Sequence, residues 1–136
     1  GISIALADRA PEVAVWTAEP EGFDDLKRSL EAGRRVSNKP GAKSICDALL
    51  VPTPGAITFP ILKENAAGGF VVDDEDVRRA MRIAFEEFRL VLEPGGAVAL
   101  AVVLSRKLDM LGRNVAVIAS GGNVDPELFA EVITGR

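Results

Sequence analysis

The sequence has no histidine, no tyrosine and a single cysteine, Cys46. Without histidine, the chain by itself cannot form a Ser-His-Asp triad, a Cys-His dyad or a histidine-ligated zinc site. One cysteine excludes an intrachain disulfide, which favours a reducing, cytoplasmic setting. These absences remove several common hydrolytic and zinc-dependent chemistries from what the side chains of this chain could perform.

Long apolar runs and clusters of basic residues are also missing. The longest apolar run, residues 97–104, is far shorter than the ~20 residues that a membrane-spanning helix needs, so no membrane partner is expected. The net charge is −4, and without a basic cluster nucleic acid is not an expected partner. With 136 residues, of which 48% are hydrophobic and 26% charged, the chain is predicted to form one globular unit around a single core.

The first residues indicate that the chain belongs to something longer. There is no initiator methionine, and the sequence opens directly in a helical pattern that Pro11 ends. Ile2 and Leu6, together with Ile4, are predicted to share an apolar stripe on this helix. Because no N-cap residue precedes it, we interpret residues 1–136 as a single segment of a longer polypeptide.

Helical and strand patterns alternate along the rest of the chain. In the first half they predict a strand at 13–17, a helix in "GFDDLKRSLEAGR", a loop at 34–55 with a brief strand in "SICDALLV", and a helix in "ITFPILKEN". A strand in "GGFVV" follows, and then an amphipathic helix at 77–88 capped by Asp73 or Asp74. The last elements are an apolar helix in "EPGGAVALAVVLSRKL", a buried strand in "NVAVIA" and a helix capped by Asp125. Strands separated by helices predict an α/β fold, with a mostly parallel sheet flanked by helices in three layers.

The stretch "SGGN", Ser120 to Asn123, follows the last predicted strand. Ligands of open parallel sheets bind beyond the carboxyl ends of the strands. Gly121 and Gly122 would let a flat ligand approach the backbone closely, and Ser120 offers one neutral hydroxyl there. The alternative is a tight left-handed turn followed by a helix cap, without a ligand.

The stretch "LEPGGAVAL" is a second candidate site. Glu93 ends one helical pattern, and Pro94 begins the next. Gly95, Gly96 and Ala97 leave room for a close neighbour. The alternative is a corner between two helices packed with small residues.

The stretch "AEPEGFDD" is a third candidate. Glu19, Glu21, Asp24 and Asp25 crowd a strand-to-helix turn, and oxygen-rich clusters of this kind suit a hard cation such as Mg²⁺ or Ca²⁺. The alternative is an ordinary acid-rich helix start, because carboxylates are favourable at a helix N-terminus.

Five segments carry a resemblance to a known family: "WTAEPEGFDD", "KSICDALLVPTPGAITFPIL", "VVDDEDVRRAM", "LEPGGAVALAVVL" and "VIASGGNVDPELF". In this order and separation they resemble the C-terminal part of the serine/threonine dehydratase family, pyridoxal phosphate enzymes of the tryptophan synthase β-type fold with serine racemase as a relative. The resemblance covers essentially the whole chain. It implies the C-terminal portion of the large cofactor-binding domain of such an enzyme.

The resemblance also implies residues that bind pyridoxal 5'-phosphate. Ser120 matches the family serine whose hydroxyl contacts the pyridine nitrogen. Gly121 and Gly122 match the glycines that admit the ring, and Asn123 completes the motif. Glu93 matches a glutamate beside the cofactor. A neutral hydroxyl leaves the ring nitrogen largely unprotonated, which makes the ring a modest electron sink and favours β-elimination.

A cation site is implied in the same way. Glu19 and Asp25 match the cation-binding carboxylates of serine racemase-like members, and the backbone carbonyl of Phe23 would be the third protein ligand. Mg²⁺ or Ca²⁺ is the expected ion, since both prefer oxygen ligands.

Three family motifs are not found in this chain. They are the "SFKxRGA"-like motif with the Schiff-base lysine, the "SxGNH"-like loop that binds the substrate carboxylate, and the glycine-rich phosphate loop. None of the lysines lies in a matching context: Lys27, Lys39, Lys43, Lys63 and Lys107. We therefore expect the isolated chain to be inactive, and to need the N-terminal part of the same protein within a homodimeric full-length enzyme.

The resemblance implies the activity of an L-threonine or L-serine dehydratase, which converts its small amino acid substrate by β-elimination to a 2-oxo acid and ammonia. Two alternatives stay open. One is a related reaction on the same scaffold, either serine racemisation or hydroxyaspartate dehydration. The other is a fragment without catalytic activity.

Overall fold

The computed structural model describes residues 1–135. Its helices and strands, in chain order, are α1 (Ile2–Arg9), β1 (Val15–Pro20), α2 (Asp25–Ala32), α3 (Thr58–Asn65), β2 (Ala66–Val72), α4 (Asp74–Phe88), α5 (Pro94–Leu104) and α6 (Pro126–Thr134). Strands thus alternate with helices, as the sequence predicts for an α/β fold. In this part of the chain, no helix is both long and apolar enough to cross a membrane.

The two strands form a parallel pair with helices on both faces. Phe70 of β2 packs against the hydrophobic core that includes α4 and α5. Gly69, the preceding residue, faces the other way, because a Cβ built on it would lie 3.0 Å from the Cβ of Lys27 in α2. Successive strand residues point to opposite faces, so α2 covers one face and α5 the other. The predicted three-layer arrangement of helices around a parallel sheet is confirmed.

The core lies mainly between the sheet, α4 and α5. On α4 the predicted stripe is buried at four positions: Val77, Ala80, Met81 and Ala84. Phe88 continues the same spacing but is 60% exposed, because it stands at the end of the helix. No residue of α5 is exposed, which fits a helix whose sequence is apolar nearly all round.

Two helix starts are capped as the sequence predicts. The Asp73 carboxylate accepts a hydrogen bond from the backbone N–H of Asp76 at the start of α4. Asp125 accepts from the N–H groups of Glu127 and Leu128 at the start of α6, where Pro126 is the first helical residue. Both caps satisfy N–H groups that a helix leaves without an internal partner.

Two predicted strands are wrong. Within "SICDALLV" the backbone forms a short 3₁₀ turn at Asp47–Leu49 instead of a strand. The segment 114–119 is predicted as a buried strand, yet Val115 is 40% and Ile118 54% exposed. Among residues 1–135 it joins no sheet, since β1 and β2 pair only with each other. A strand needs a neighbour for its backbone N–H and C=O groups, and apolar composition alone does not supply one.

The predicted apolar stripe of α1 is also wrong in part. Leu6 is partly buried, but Ile2 and Ile4 are 54% and 50% exposed, and Ser3 is the buried residue of the helix. The helix packs against α3. Because α1 turns Ser3 towards its neighbours, the two isoleucines point away from the rest of the described chain.

Candidate cofactor site

Two sequence motifs lie in direct contact at the start of α5. We call residues 92–96 the LEPGG corner and residues 120–123 the SGGN turn. The backbone N–H of Glu93 donates to the carbonyl oxygen of Gly121 at 3.0 Å. The backbone N–H of Asn123 donates to the Glu93 carboxylate, also at 3.0 Å. The structure therefore joins two candidate sites that are almost thirty residues apart in the sequence into one site.

The glycines of these motifs are needed for close packing. A Cβ on Gly96 would lie 2.5 Å from the carbonyl oxygen of Gly121. A Cβ on Gly121 would lie 2.6 Å from a carboxylate oxygen of Glu93, and one on Gly122 would lie 2.7 Å from the carbonyl oxygen of Val91. None of the three glycines has a positive φ, so the alternative of a left-handed turn is wrong for this motif.

Ser120 stands at the exposed edge of this site. The residue is exposed to solvent, while the adjacent Gly121 is packed against the LEPGG corner. Its hydroxyl is neutral and can donate a hydrogen bond, which an unprotonated aromatic ring nitrogen can accept. A hydroxyl at this position could donate a hydrogen bond to such a nitrogen, as the resemblance implies for Ser120.

Glu19, at the end of β1, caps the next helix across the turn. Its two carboxylate oxygens accept hydrogen bonds from the backbone N–H groups of Leu26 and Lys27, at 2.8 and 2.7 Å. Burial nevertheless raises the pKa of the Glu19 carboxyl from 4.5 to about 7. The two N–H donors lower that pKa, and the nearby charges of Asp25 and Asp24 raise it further.

The predicted cation ligands lie around this cap. Asp25 is only 1% exposed, and its carboxylate accepts a hydrogen bond from the side-chain amide of Asn38 at 2.6 Å. Its charge acts on the pKa of Glu19, so the two carboxylates are neighbours. In the part of the chain that the structure describes, no group of three or more His, Cys, Asp or Glu side chains could hold a metal ion. A site here would have to use a backbone oxygen.

Comparison with known proteins decides the family. The model of the family described as "Pyridoxal-phosphate dependent enzyme" matches residues 1–121. The chain belongs to this family of pyridoxal phosphate enzymes. The matched range ends inside the SGGN turn.

Individual relatives agree with the family. Serine racemase of Dictyostelium discoideum is 36% identical over 98% of this chain and 42% of its own length. β-Hydroxyaspartate dehydratase of Paracoccus denitrificans is 36% identical over 92% of this chain and 39% of its own length. The crystal structure of the T.th. threonine deaminase superimposes with a TM-score of 0.84 at 36% identity, over 91% of this chain and 41% of that one. The chain thus spans about two fifths of the length of these relatives.

Several nucleophilic side chains of this family member are held in structural contacts. Cys46 is buried, which raises the pKa of its thiol to about 11, so it stays protonated near neutral pH. The Lys27 amine pairs with Glu31, and the Lys107 amine bonds the carbonyl oxygen of Val71. The Lys63 amine bonds the carbonyl oxygen of Gly33. In the SGGN turn, Ser120 and Asn123 are both exposed polar residues.

Sequence reasoning missed two contacts in these sites. Glu19 is predicted as a cation ligand, yet its role as the cap of α2 has no local signal, because the capping residue is separated from the helix by a turn. The bond from Asn123 to Glu93 is equally invisible, since its partners are thirty residues apart. The sequence signals that could have indicated this contact are a glutamate directly before "PGG" and a second pair of glycines in "SGGN".

Proposed function

We propose that this chain forms the C-terminal part of the cofactor-binding domain of a PLP-dependent ammonia-lyase that acts on L-threonine or L-serine. The observation that carries the proposal is that Ser120 is exposed at the first position of the SGGN turn, while the next residue, Gly121, packs against the LEPGG corner. The remaining three fifths of an enzyme of this family would supply the catalytic lysine, the phosphate-binding loop and the substrate carboxylate site. The assembled enzyme is proposed to be a cytoplasmic homodimer.

In this proposal each group of the SGGN turn has its own task. When bound, pyridoxal phosphate supplies an electron sink for the carbanion that forms at the substrate Cα. The Ser120 hydroxyl would donate a hydrogen bond to the ring nitrogen. Gly121 and Gly122 keep the backbone close to the LEPGG corner and to Val91, where a Cβ would not fit. Asn123 links the turn to Glu93.

The neutral hydroxyl proposed as partner of the ring nitrogen makes the ring a modest electron sink, which is compatible with β-elimination. A carboxylate at position 120 would promote protonation of the ring nitrogen and would strengthen the electron sink. A hydroxyl provides neither charge nor a strong base. Because a serine racemase and a hydroxyaspartate dehydratase are among the relatives, serine racemisation and hydroxyaspartate dehydration stay as alternative activities for this chain.

The proposal is tested by a chimera in which this chain replaces the matching segment of the T.th. threonine deaminase. We expect the chimera to release ammonia and a 2-oxo acid from L-threonine or L-serine, and this chain alone to release none. Hydroxyaspartate and the interconversion of serine enantiomers are assayed in parallel. A folded, cofactor-loaded chimera that is inactive on threonine and serine would contradict the proposed activity. Activity on hydroxyaspartate alone would favour the dehydratase alternative.

We also propose that Glu19, Asp25 and the carbonyl oxygen of Phe23 hold Mg²⁺ or Ca²⁺. Two observations support this: the two carboxylates are neighbours, and the one on Asp25 is buried. Buried like charges repel each other, and a divalent cation between them would remove that repulsion. Each oxygen of Glu19 accepts one N–H group, so each keeps a second lone pair for an ion.

The cation proposal predicts a thermal shift. Added Mg²⁺ or Ca²⁺ should raise the melting temperature of this chain, and EDTA should reverse the rise, because an ion at a hundredfold excess over its Kd adds about 2.7 kcal/mol to the free energy of unfolding. Glu19→Gln should abolish the shift, whereas Glu12→Gln, at an exposed position, should keep it. A melting temperature that does not respond to either ion would leave Glu19 as a helix cap only.

A further inference from the structure

Two hydrogen bonds join the LEPGG corner to the SGGN turn, and Glu93 takes part in both. Glu93 donates its backbone N–H to Gly121, and its carboxylate accepts the N–H of Asn123. The two hydrogen bonds run in opposite directions and hold the turn at two positions, Gly121 and Asn123. We call this pair of hydrogen bonds the clamp. A hydrogen bond to an ionised carboxylate is stronger than one between neutral groups, so the carboxylate is the stronger half of this clamp.

The carboxylate of Glu93 accepts a hydrogen bond from Asn123 and none from the N–H groups of its own helix, α5. Glu93 is the N-cap residue of α5, but its side chain caps none of the N–H groups of that helix. A short side chain at an N-cap, such as that of Asp or Ser, ordinarily accepts from the first turn, whereas the longer side chain of Glu93 does not. Here it reaches across to Asn123, and the close approach of Gly121 to the same carboxylate leaves no room for a Cβ between them.

Ser120 is joined directly to this clamp by the backbone. The residues before it, 114–119, belong to no sheet in the described part of the chain. The residue after it, Gly121, is fixed by Glu93 and by its contact with Gly96. A group misplaced by about 1 Å in an enzyme site loses on the order of a hundredfold in rate.

We propose that Glu93 is a positioning residue, which acts on the cofactor by holding the SGGN turn so that the Ser120 hydroxyl points at the ring nitrogen. This inference rests on the proposed function for its consequence in catalysis, but not for the clamp itself. Glu93 then affects the reaction only through the position of Ser120, and its carboxylate acts by accepting the hydrogen bond from Asn123.

The clamp is measured in this chain alone, by amide hydrogen exchange at Asn123. Glu93→Ala should speed exchange there by about tenfold or more, since it removes a charge-assisted bond. Glu93→Gln keeps an oxygen acceptor and should restore most of the protection. Glu87→Ala changes an exposed glutamate of α4 and should have no effect. Unchanged exchange at Asn123 in Glu93→Ala would overturn the clamp.

The action through Ser120 is measured in the chimera by a double-mutant cycle. Glu93→Ala should lower kcat more than it changes KM, and it should have little further effect when Ser120 is already alanine. Glu93→Gln should recover most of the activity. Additive losses in the double variant would show that Glu93 acts independently of Ser120, and would overturn the proposal.

The two failures are distinguishable. A chimera without activity before any substitution contradicts the proposed function, whatever the exchange rates are. Faster exchange at Asn123 in Glu93→Ala, together with an active chimera and non-additive losses, supports the positioning role. Faster exchange with a fully active Glu93→Ala chimera overturns that role, because the clamp then has no effect on the reaction.

Discussion

Replacing Ser120 with alanine in the chimera is expected to lower kcat by about 10²–10³-fold, the usual cost of removing one pre-positioned hydrogen-bond donor from an enzyme site. The substitution removes the only side-chain partner that this chain is proposed to offer the ring nitrogen. Cofactor affinity should fall much less, because the phosphate group is proposed to be bound by the remaining part of the enzyme. Steady-state kinetics and a cofactor titration measure the two effects separately.

Ser37→Ala is the matched control for this substitution. Ser37 is also an exposed serine, but it lies in the loop after α2. Its alanine variant should keep the kcat and the cofactor affinity of the unsubstituted chimera. Unchanged kcat in Ser120→Ala would contradict the assignment of the SGGN turn to the ring nitrogen, even if the chimera is an active ammonia-lyase.

The stability of this chain is expected to fall as the pH rises from about 5 to about 8. The pKa of Glu19 is raised from 4.5 to about 7 in the folded chain, so between these values the folded state binds more protons than the unfolded state. The stabilising contribution is therefore complete below about pH 4.5 and is lost as the pH rises through 7. The expected loss is about 2 kcal/mol, after allowance for the partial exposure of the group.

Because the chain has no histidine, no histidine titration overlaps with that of Glu19 in this experiment. Histidine is the side chain that ordinarily titrates between pH 5 and 8, and this chain has none. Urea unfolding at several pH values, in EDTA, measures the loss. Glu19→Gln should flatten the profile, and Glu12→Gln should leave it unchanged. A profile that is already flat in the unsubstituted chain would show that Glu19 is ionised over this range.

Local patterns predicted the helices of this chain well. The spacing of Val77, Ala80, Met81 and Ala84 predicted the buried face of α4, because a helix brings such positions onto one side. Asp73 and Asp125 predicted the starts of α4 and α6, because capping joins residues only two or three positions apart. Signals of this kind involve residues only a few positions apart, so a short stretch of sequence contains all of the residues that form them.

The sheet was predictable only in part. The alternation of strands and helices predicted a parallel α/β arrangement, and β1 and β2 confirm it. The segment 114–119 has the apolar composition of a strand, but its hydrogen-bonding partner is not found among residues 1–135. Composition predicts that a segment is suited to a sheet, whereas pairing depends on a second segment that no local window contains.

The family resemblance, the capped starts of α4 and α6, and the candidate residues Ser120, Glu93, Glu19 and Asp25 follow from the sequence alone. The hydrogen bonds of Glu93 to the SGGN turn and of Glu19 to the start of α2 became visible only in the folded chain. The same holds for the need for glycine: Gly96 and Gly122 pack against backbone, and Gly121 packs against the Glu93 carboxylate, without any left-handed turn. Each of these contacts joins groups that are far apart in the sequence and become adjacent only when the chain folds, so no local pattern contains them.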